Sequence, residues 1–390
     1  MNTNTNTNTN TKVTEQTEVD TVIVGGGQAG LALGYHLAQQ KRDFVILDAH
    51  GRVGDAWRTR WDSLRLFTPT KYDGLPGMPF PGDRNSFPTK DDEADYLEDY
   101  AARFRLPVHT DMRVDRLWPE NDRYVVTSGT HRWVGQNVVV ATGGCQKPRL
   151  PAFAAELGSD VVQLHSSAYR NPGQLQPGAV LVVGLGNSGA EIARELSRTH
   201  PTWLAGRPSA ELPIRHGRMA ARFALPLVRF LGMHVLTLGT PIGRRSAPNF
   251  TAHAAPLIRT KLSDLTAAGV RPTSRVAGVS DGKPLLEGDQ VLDVANVIWC
   301  TGYREEWEWV DAPVFDAAGR PQQLRGVVES APGLYFLGLE FMFAAASATV
   351  TGACRDAKYL AKRINVASPR PTHSGVSQMS PGDTRREGHR

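Results

Sequence analysis

The apolar residues of this chain recur in short blocks that alternate with longer amphipathic stretches. Short runs of Val, Ile and Leu are typical of buried parallel strands, whereas apolar positions three and four apart indicate helices. We predict buried strands at 22–24, 44–47, 137–141, 180–183, 202–205, 296–300 and 334–337, and further strands at 123–127, 131–134, 275–279 and 289–292. We predict helices at 28–40, 91–104, 187–198, 260–268 and 341–364. This alternation predicts an α/β protein with parallel sheets.

A glycine-rich turn lies between the first predicted strand and the first helix. Gly25, Gly27 and Gly30 have the G-x-G-x-x-G spacing. In such a turn the first glycine allows the tight bend, the second lets backbone approach a pyrophosphate, and the third lets the helix pack on the strand. The next strand is followed by Asp48, where a carboxylate can hold the hydroxyls of a ribose. We therefore predict a dinucleotide site, the alternative being a glycine-rich turn without a ligand.

The same spacing occurs a second time, after the strand at 180–183. Gly184, Gly186 and Gly189 open the helix at 187–198. The following strand leads to Arg207, where an NAD-binding unit would carry an acid. An arginine there favours the 2′-phosphate of NADP, and a solvated surface arginine is the alternative. Two such signatures predict two bound nucleotides.

Small residues follow two of the predicted buried strands. Ala141 is followed by Thr142-Gly143, and Cys300 is followed by Thr301-Gly302. Glycine at such places lets the chain pass close to a ligand. We expect these two turns to line the sites of the two nucleotides.

A loop with two glycines and an Asp precedes Trp57. It can lie against a phosphate or the edge of a flat ring, and Trp57 and Trp61 can stack on such a ring. A core position is the alternative for both tryptophans.

Charge and cysteine content exclude several kinds of function. Lys and Arg number 44 and Asp and Glu 39, and part of the net +5 lies in the C-terminal tail, so the charge does not identify a nucleic-acid partner. Cys145, Cys300 and Cys354 are far apart without a C-x-x-C, which argues against disulfides, a zinc site and a redox dithiol and fits a cytoplasmic protein. The polar, low-complexity segments 1–18 and 366–390 are expected to be disordered.

The segment 219–239 is long and apolar enough to raise the question of a membrane. Arg222, Arg229 and His234 interrupt it, and Pro226 breaks helical continuity, so it does not fit a membrane span and we expect no stable membrane insertion. We predict a bent helical cap over the active site, within residues 210–255. An interfacial segment that admits an apolar substrate is the alternative.

Together these motifs make residues 19–364 resemble the class B flavin-dependent monooxygenases, and the Asn-Ser-Gly ending of the second signature is similar to that of the plant indole-pyruvate monooxygenases. The resemblance implies two Rossmann-like domains: an FAD domain (19–150 and 290–365) and an NADPH domain (151–289) inserted into it. The cofactor contacts that it implies are Gly25, Gly27, Gln28, Ala29, Gly30, Asp48, Gly54, Trp57, Val114, Ala141, Thr142, Gly143, Gly184, Gly186, Asn187, Ser188, Gly189, Arg207, Thr301 and Gly302.

The chain departs from this family in two places. Of the family's identifying segment only His165 and Tyr169 match, while Ser159 and Val161 replace a Phe and a Gly. We expect His165 to orient the domain interface or NADP, with a purely structural histidine as the alternative. Phe67 stands where N-oxygenating relatives carry an Asn. It would make that wall of the pocket apolar.

The resemblance implies that NADPH reduces FAD, that dioxygen then forms a flavin peroxide, and that one oxygen atom passes to a small, nonpolar or aromatic substrate. The candidate catalytic residues are Arg207, Phe67 and His165, and no metal is expected. Arg207 would stabilise the peroxide, bind the NADP phosphate, or do both. The alternatives are an NADPH-dependent flavoprotein reductase or oxidase that oxygenates nothing and a non-catalytic nucleotide sensor. The substrate, the atom oxygenated and the oligomeric state stay open.

Overall fold

The computed structural model describes residues 15–207, 210–252 and 255–367. In chain order its strands are β1 (Glu15–Val24), β2 (Phe44–Leu47), β3 (Val108–His109), β4 (Arg116–Glu120), β5 (Arg123–Ser128), β6 (His131–Val140), β7 (Lys147–Pro148), β8 (Val162–His165), β9 (Val180–Val183), β10 (Thr202–Ala205), β11 (Arg271–Thr273), β12 (Val276–Ser280), β13 (Lys283–Leu286), β14 (Asn296–Trp299), β15 (Tyr303–Arg304) and β16 (Leu334–Phe336).

The α-helices are α1 (Gln28–Gln39), α2 (Asp55–Arg58), α3 (Lys90–Arg103), α4 (Asn187–Leu196), α5 (Leu225–Phe230), α6 (Pro241–Ala252), α7 (Leu262–Ala267) and α8 (Val350–Ala367). Short 3-10 turns lie at Thr70–Tyr72, Ala152–Glu156 and Pro172–Gln174, and π-helical turns at Ala220–Ala224 and Leu231–Val235. None of the helices in the described ranges is long and apolar enough to cross a membrane.

The first sheet is built on four parallel strands in the order β3-β2-β1-β6. Strand β1 pairs with β6 along its whole length, from Glu15 opposite His131 to Val24 opposite Val140. On its other side β6 pairs first with β5, antiparallel, and then with β16, parallel. The two strands predicted at 131–134 and 137–141 are therefore one continuous strand, because its long partner keeps it extended.

The ends of the chain are more ordered than the sequence predicts. Residues 15–18 belong to β1, so the disorder predicted for 1–18 is wrong for these four residues. Helix α8 ends at Ala367, so disorder is also wrong for 366 and 367. The rest of the two segments, 1–14 and 368–390, lies outside the described residues.

The second sheet is wholly parallel, with the order β11-β10-β9-β14-β8. Its strands come from the chain between β6 and β16, so the predicted class, two α/β units with parallel sheets, one inserted in the other, is confirmed. The boundary predicted at residue 290 is wrong in one respect. Strand β14 lies between β9 and β8 in the second sheet, and the return to the first domain follows it.

Each sheet is covered by apolar side chains on both faces. Helices α1, α3 and α8 cover one face of the first sheet, and Leu33, Leu97 and Leu360 are among the fully buried residues there. Helix α4 covers one face of the second sheet with Ile192 and Leu196. Parallel sheets buried on both faces explain why their strands are continuous apolar runs in the sequence.

Two predicted elements differ from the structure. The final helix begins at Val350 and not at residue 341, because Phe341 has a left-handed φ of 48° that a right-handed helix excludes. The strand predicted at 289–292 does not form: only Val291 makes an isolated bridge, to Leu285 of β13, and β13 is the partner of β12. Asp289 also has a left-handed φ, 62°, which suits a turn.

The cap predicted at 219–239 is helical and irregular. Helix α5 is flanked on both sides by π-helical turns, and Pro226 lies in its first turn, where proline is compatible with a helix. Ala220, Ala221 and Leu225 are buried against Phe87. Phe87 belongs to the stretch with five prolines between α2 and α3, residues 59–89, which we call the Pro-rich segment. The cap therefore packs on the first domain through one side only.

Two carboxyl groups, one in this Pro-rich segment and one in α3, are buried next to each other. Asp73 and Glu93 are both 0% exposed. The Thr68 hydroxyl donates to Asp73 Oδ1, but Asp73 Oδ2 and both Glu93 oxygens lack a hydrogen-bond partner among the described residues. Burial raises the pKa of Asp73 to about 7, against the Thr68 hydrogen bond. Burial and then repulsion from Asp73 raise the pKa of Glu93 well above its usual range.

A substitution that removes one of these carboxyls should stabilise the protein at alkaline pH. Folding raises the pKa of these carboxyls, so between the two pKa values the folded state binds protons that the unfolded state has lost. The free energy of unfolding is therefore highest below the unfolded pKa, near 4, and falls as pH rises through about 7. We expect Glu93→Met to raise the free energy of unfolding by about 1–3 kcal/mol near pH 8 and by less near pH 5. Thermal unfolding at both pH values measures this. The control is Asp99→Asn on the exposed side of α3, which should change neither value. An equal gain at both pH values would contradict the account.

Candidate active site

The first glycine-rich turn is fixed by close contacts between backbone atoms. A Cβ on Gly25, whose φ is +115°, would lie 2.5 Å from the carbonyl oxygen of Ala141. A Cβ on Gly30 would lie 2.0 Å from the carbonyl oxygen of Gly25. Gly27, by contrast, has nothing within 4 Å of its Cβ position. Gly25 and Gly30 therefore permit the turn itself. Gly27 leaves open space in front of the turn, as the sequence predicts for a ligand phosphate.

The second turn repeats this geometry in the second sheet. A Cβ on Gly184 (φ +113°) would lie 2.2 Å from the carbonyl oxygen of Cys300, and one on Gly189 would lie 1.8 Å from that of Gly184. Ala141 and Cys300 occupy equivalent positions, since each follows the parallel neighbour of a glycine-bearing strand. The repeated Thr-Gly pairs in the sequence thus mark the same place in two similar folds.

Both helices that follow these turns have open N-termini. Gly27 is the N-cap of α1 and Gly186 that of α4, and among the described residues no side chain caps either helix and neither first turn holds an acid. Helix α3, by contrast, is capped by Thr89 and has three acids in its first turn. The free N–H groups and the helix dipole favour an anion. The residues at both turns therefore fit the pyrophosphate of a dinucleotide.

Asp48 lies at the end of β2, beside the first turn. Its Oδ2 accepts a hydrogen bond from the Gly26 N–H at 2.7 Å, and its Oδ1 accepts from the His50 N–H at 2.8 Å and faces the His50 ring at 2.9 Å. Burial raises the pKa of Asp48, but the hydrogen bonds from His50 and Gly26 outweigh it, so the pKa is lowered overall. The side chain is a charged acceptor with lone pairs left for a ribose.

Three of the predicted contacts come from other segments of the first domain. Gly54 has a left-handed φ of +91°, and a Cβ there would lie 2.4 Å from the Ala94 carbonyl oxygen of α3. Trp57 approaches the start of α1, its Nε1 lying 3.4 Å from Gln28 Oε1. Val114 packs on the apolar core behind the sheet. Their placement differs, Trp57 near the turn and Val114 at the core.

Asn187 and Trp61 have structural roles in the second domain. The Asn187 side chain donates to the Pro256 carbonyl at 3.0 Å and accepts from the Ile258 N–H at 3.0 Å, so it holds the segment after the cap. Trp61 is buried in the core of the second domain with Tyr169. Stacking of Trp61 on a cofactor ring is therefore excluded, and its alternative reading as a core residue is confirmed.

Two crossing segments connect the domains next to the Thr-Gly turns, where β7 pairs with β15. Gln146 Nε2 donates to the Thr142 hydroxyl at 3.0 Å and the Gly143 carbonyl at 2.8 Å, while its Oε1 accepts from the Glu306 N–H at 2.8 Å. The Arg149 N–H donates to the Gly302 carbonyl at 3.0 Å. Sequence reasoning missed Gln146, because a polar residue beyond a glycine turn follows no periodic pattern.

His165 lies at the end of β8 and holds the second Thr-Gly turn. Its Nδ1 accepts from the Ser167 N–H at 3.1 Å, so Nε2 carries the proton and donates to the Gly302 carbonyl at 3.0 Å. Burial lowers the pKa of His165, and the nearby Arg60 lowers it further against the hydrogen bond to Gly302. Tyr303 packs edge-on against the ring, and its hydroxyl accepts from Arg60 at 2.8 Å. The neutral imidazole is thus engaged at both nitrogens.

Arg207 lies at the second turn and Phe67 lies under the cap. Arg207 is exposed and follows β10, and the preceding Gly206 approaches Leu185 of the second turn, where a Cβ would lie 3.0 Å from the Leu185 N. The Phe67 side chain is 41% exposed, and its carbonyl accepts a hydrogen bond from His216 Nε2 at 3.0 Å. Arg207 and Phe67 therefore belong to different segments and to different domains.

The described part of the chain gives little support to metal chemistry or to thiol redox chemistry. No group of three His, Cys, Asp or Glu residues there could hold a metal ion. All three cysteines are free, and burial raises the pKa of both Cys300 and Cys354 to about 12, which keeps their thiols protonated. A hollow of about 180 Å³ lies within residues 70–84 of the Pro-rich segment, away from both glycine turns.

Comparison with known proteins agrees with this geometry. The family model described as pyridine nucleotide-disulphide oxidoreductase matches residues 22–204. An uncharacterized CzcO-like oxidoreductase of Geobacillus kaustophilus is 40% identical over 349 residues, which are 89% of this chain and 98% of the relative. An indole-3-pyruvate monooxygenase of Oryza sativa subsp. japonica is 28% identical over 77% of this chain and 80% of its own.

Among solved structures, a flavin-containing monooxygenase from Stenotrophomonas maltophilia has a TM-score of 0.73 and 26% identity, covering 90% of this chain and 98% of its own. These relatives imply a flavin and a nicotinamide cofactor, which the two glycine turns fit. The chain belongs to the class B flavin-dependent monooxygenases, among the CzcO-like oxidoreductases.

Proposed function

We propose that the protein is an FAD- and NADPH-dependent monooxygenase of small, nonpolar or aromatic organic substrates. One observation carries this proposal: the same turn occurs in both sheets, with Gly25 against Ala141 and Gly184 against Cys300. Two dinucleotides at neighbouring sites allow a hydride to pass from one to the other. In the overall reaction, substrate, dioxygen, NADPH and a proton give the oxygenated substrate, NADP⁺ and water.

The first turn supports FAD as the resident cofactor. The α1 N-terminus and Gly27 would receive the pyrophosphate, and Asp48 would accept the ribose hydroxyls. Thr142 and Gly143 would lie along the cofactor, where Gln146 fixes their orientation. When bound, FAD supplies electron transfer and dioxygen activation, and the protein supplies position and exclusion of water.

The second turn supports NADPH as the electron donor. Strand β10 is the parallel neighbour of β9, so Arg207 and the α4 N-terminus lie at the same edge of the sheet. An exposed guanidinium at the place of the usual acid would bind the 2′-phosphate of NADPH. Arg207 serves the phosphate in this proposal, and a role beside the flavin is not part of it.

His165 is proposed as a positioning residue. Its proton on Nε2 is donated to the Gly302 carbonyl, so the ring has no free nitrogen for acid-base chemistry while these bonds persist. The bond fixes the Thr301-Gly302 turn against the end of β8. Fixing this turn would orient the nicotinamide cofactor toward the first domain.

The phenylalanines that could line a substrate site differ in their surroundings. Phe67 is exposed below the cap, and Phe80 stacks on Tyr96. Phe341 is buried, and Phe343 lies between Arg325 and Arg355, with the guanidinium carbons 4.2 and 4.1 Å from the ring centre. Of these phenylalanines, Phe67 is best placed to face a substrate.

Labelled dioxygen distinguishes oxygenation from simple oxidation of NADPH. With ¹⁸O₂, NADPH and a panel of ketones, sulfides, amines and 2-oxo acids, we expect at least one product that carries one labelled atom per NADPH consumed. Mass spectrometry and the consumption of NADPH measure this ratio. Stoichiometric hydrogen peroxide with every substrate would support the reductase or oxidase alternative, and a preparation that retains no flavin would overturn the proposal.

Arg207→Ala tests the choice between NADPH and NADH. Loss of the phosphate contact should raise the KM for NADPH by about ten- to hundredfold and leave the KM for NADH nearly unchanged. Steady-state rates of flavin reduction with each cofactor measure the effect. Arg198→Ala, another exposed arginine of the same domain, is the matched control. Equal losses with both cofactors would refute a role at the 2′-phosphate.

Gly27→Ala tests the placement of FAD. Its Cβ meets open space in the protein but would occupy the path of the pyrophosphate, so we expect flavin content to fall while the apoprotein keeps its circular dichroism spectrum. Gly278→Ala, also unobstructed and in β12, should keep its flavin. Gly30→Ala should instead lower the melting temperature, since its Cβ would lie 2.0 Å from a carbonyl oxygen. Normal flavin content in Gly27→Ala would place the cofactor elsewhere.

A further inference from the structure

The outer side of the cap carries a row of large apolar side chains. Met219, Phe223, Leu227, Phe230 and Leu231 are 71, 63, 59, 54 and 40% exposed. Their spacing of three to four positions places them on one side of a helix. We call these five residues the cap stripe.

The cap stripe is not an ordinary scatter of surface residues. It holds five of the eleven large hydrophobic residues that are exposed in the described part of the chain. Ile242, a sixth, is 61% exposed in α6 shortly beyond it. Single exposed apolar residues need no explanation, but a contiguous group marks a surface that another body covers.

The inner side of the cap already packs on the first domain, so the stripe on the outer side has no contact with the rest of the described chain that would cover it. The Lys71 Nζ donates to the Ala221 carbonyl at 2.7 Å, and Arg355 donates to the Met233 carbonyl at 2.8 Å. The Arg229 guanidinium lies over the ring of Tyr72, 4.7 Å from its centre. These contacts fix the inner side on the first domain and leave the stripe facing outward.

The sequence that carries the stripe has charges of a single sign, and one of its arginines, Arg218, is ion-paired with Asp83 of the neighbouring segment. Between Glu211 and Asp264 the sequence contains seven Arg and one Lys and not one Asp or Glu. This stretch therefore contributes +8 to a chain whose net charge is +5, and the rest of the chain sums to −3. The arginines that lie exposed in it are Arg215, Arg218, Arg222, Arg244 and Arg245.

This charge decides between two possible partners. A second copy of the chain would bring one basic cap against another, which like-charge repulsion opposes. A bilayer with anionic phospholipids attracts the arginines and accepts the apolar side chains between its headgroups. A helix with exposed Met, Phe and Leu on one side and arginines beside them has the composition of an interfacial helix.

We propose that the cap stripe docks the protein peripherally on the surface of a bilayer that contains anionic phospholipids. The stripe enters the headgroup region, and Arg215, Arg222, Arg244 and Arg245 contact lipid phosphates. The first domain stays in water above the surface. The proposal does not depend on the oxygenation chemistry, because it concerns only the outer face of the cap.

Vesicle binding of the full-length holoprotein tests this proposal. We expect co-sedimentation with vesicles of phosphatidylcholine and phosphatidylglycerol, weakened by added salt, and little binding to phosphatidylcholine alone. The variant Phe223→Ser/Leu227→Ser should weaken binding by about tenfold or more, since two large apolar side chains are lost. Arg244→Gln/Arg245→Gln should weaken it less, and mainly at low salt.

The controls separate docking from folding and from self-association. Leu150→Ser/Val291→Ser removes two exposed apolar residues outside the cap and should bind vesicles like the unaltered protein. Every variant should keep its flavin content and melting temperature. Three results would overturn the proposal: no binding to anionic vesicles, equal loss with the control variant, or a dimer in sedimentation velocity that Phe223→Ser/Leu227→Ser dissociates.

Discussion

The structure depends on the close approach of two backbones at the end of a parallel sheet. Gly25 packs against the carbonyl of Ala141, and Gly184 packs in the same way against that of Cys300. No side chain fits there, and the positive φ of both glycines is strained for any other residue. Because each turn is tight, the helix that follows it points its free N–H groups at one place, beside the Thr-Gly pair that follows the neighbouring strand. The anion site follows from this contact and from no charged residue.

The relation between the two sites depends on the short connection between them. Gln146 and Arg149 tie one crossing segment to the other, and each bonds a Thr-Gly turn or its neighbour. His165 fixes the second turn from the far side. The groups that fix the two Thr-Gly turns therefore belong to the backbone and to neutral side chains. This agrees with a reaction whose chemistry lies in the cofactors.

The sequence predicted the fold correctly where a residue pattern follows directly from backbone geometry. Apolar runs and glycine spacing predicted both sheets and both turns, because these depend on contacts between near neighbours in the chain. Strand β14 belongs to the second sheet because it pairs with β8 and β9, which are distant in the sequence. Helix α8 does not begin at residue 341 because Phe341 has a left-handed φ. Neither has a local signal. The burial of Asp73 and Glu93 also has no signal in the sequence, because acids are usually exposed, and only the fold shows it.

The position of β14 also affects how the chain can reach its native state during synthesis. It fills the gap between β9 and β8, so the second sheet stays split until residues near 299 have left the ribosome. The first sheet waits still longer for β16 and for the helix that covers it. Neither domain can complete its fold from a nascent chain of half length, and the growing polypeptide exposes unpaired apolar strands for most of translation.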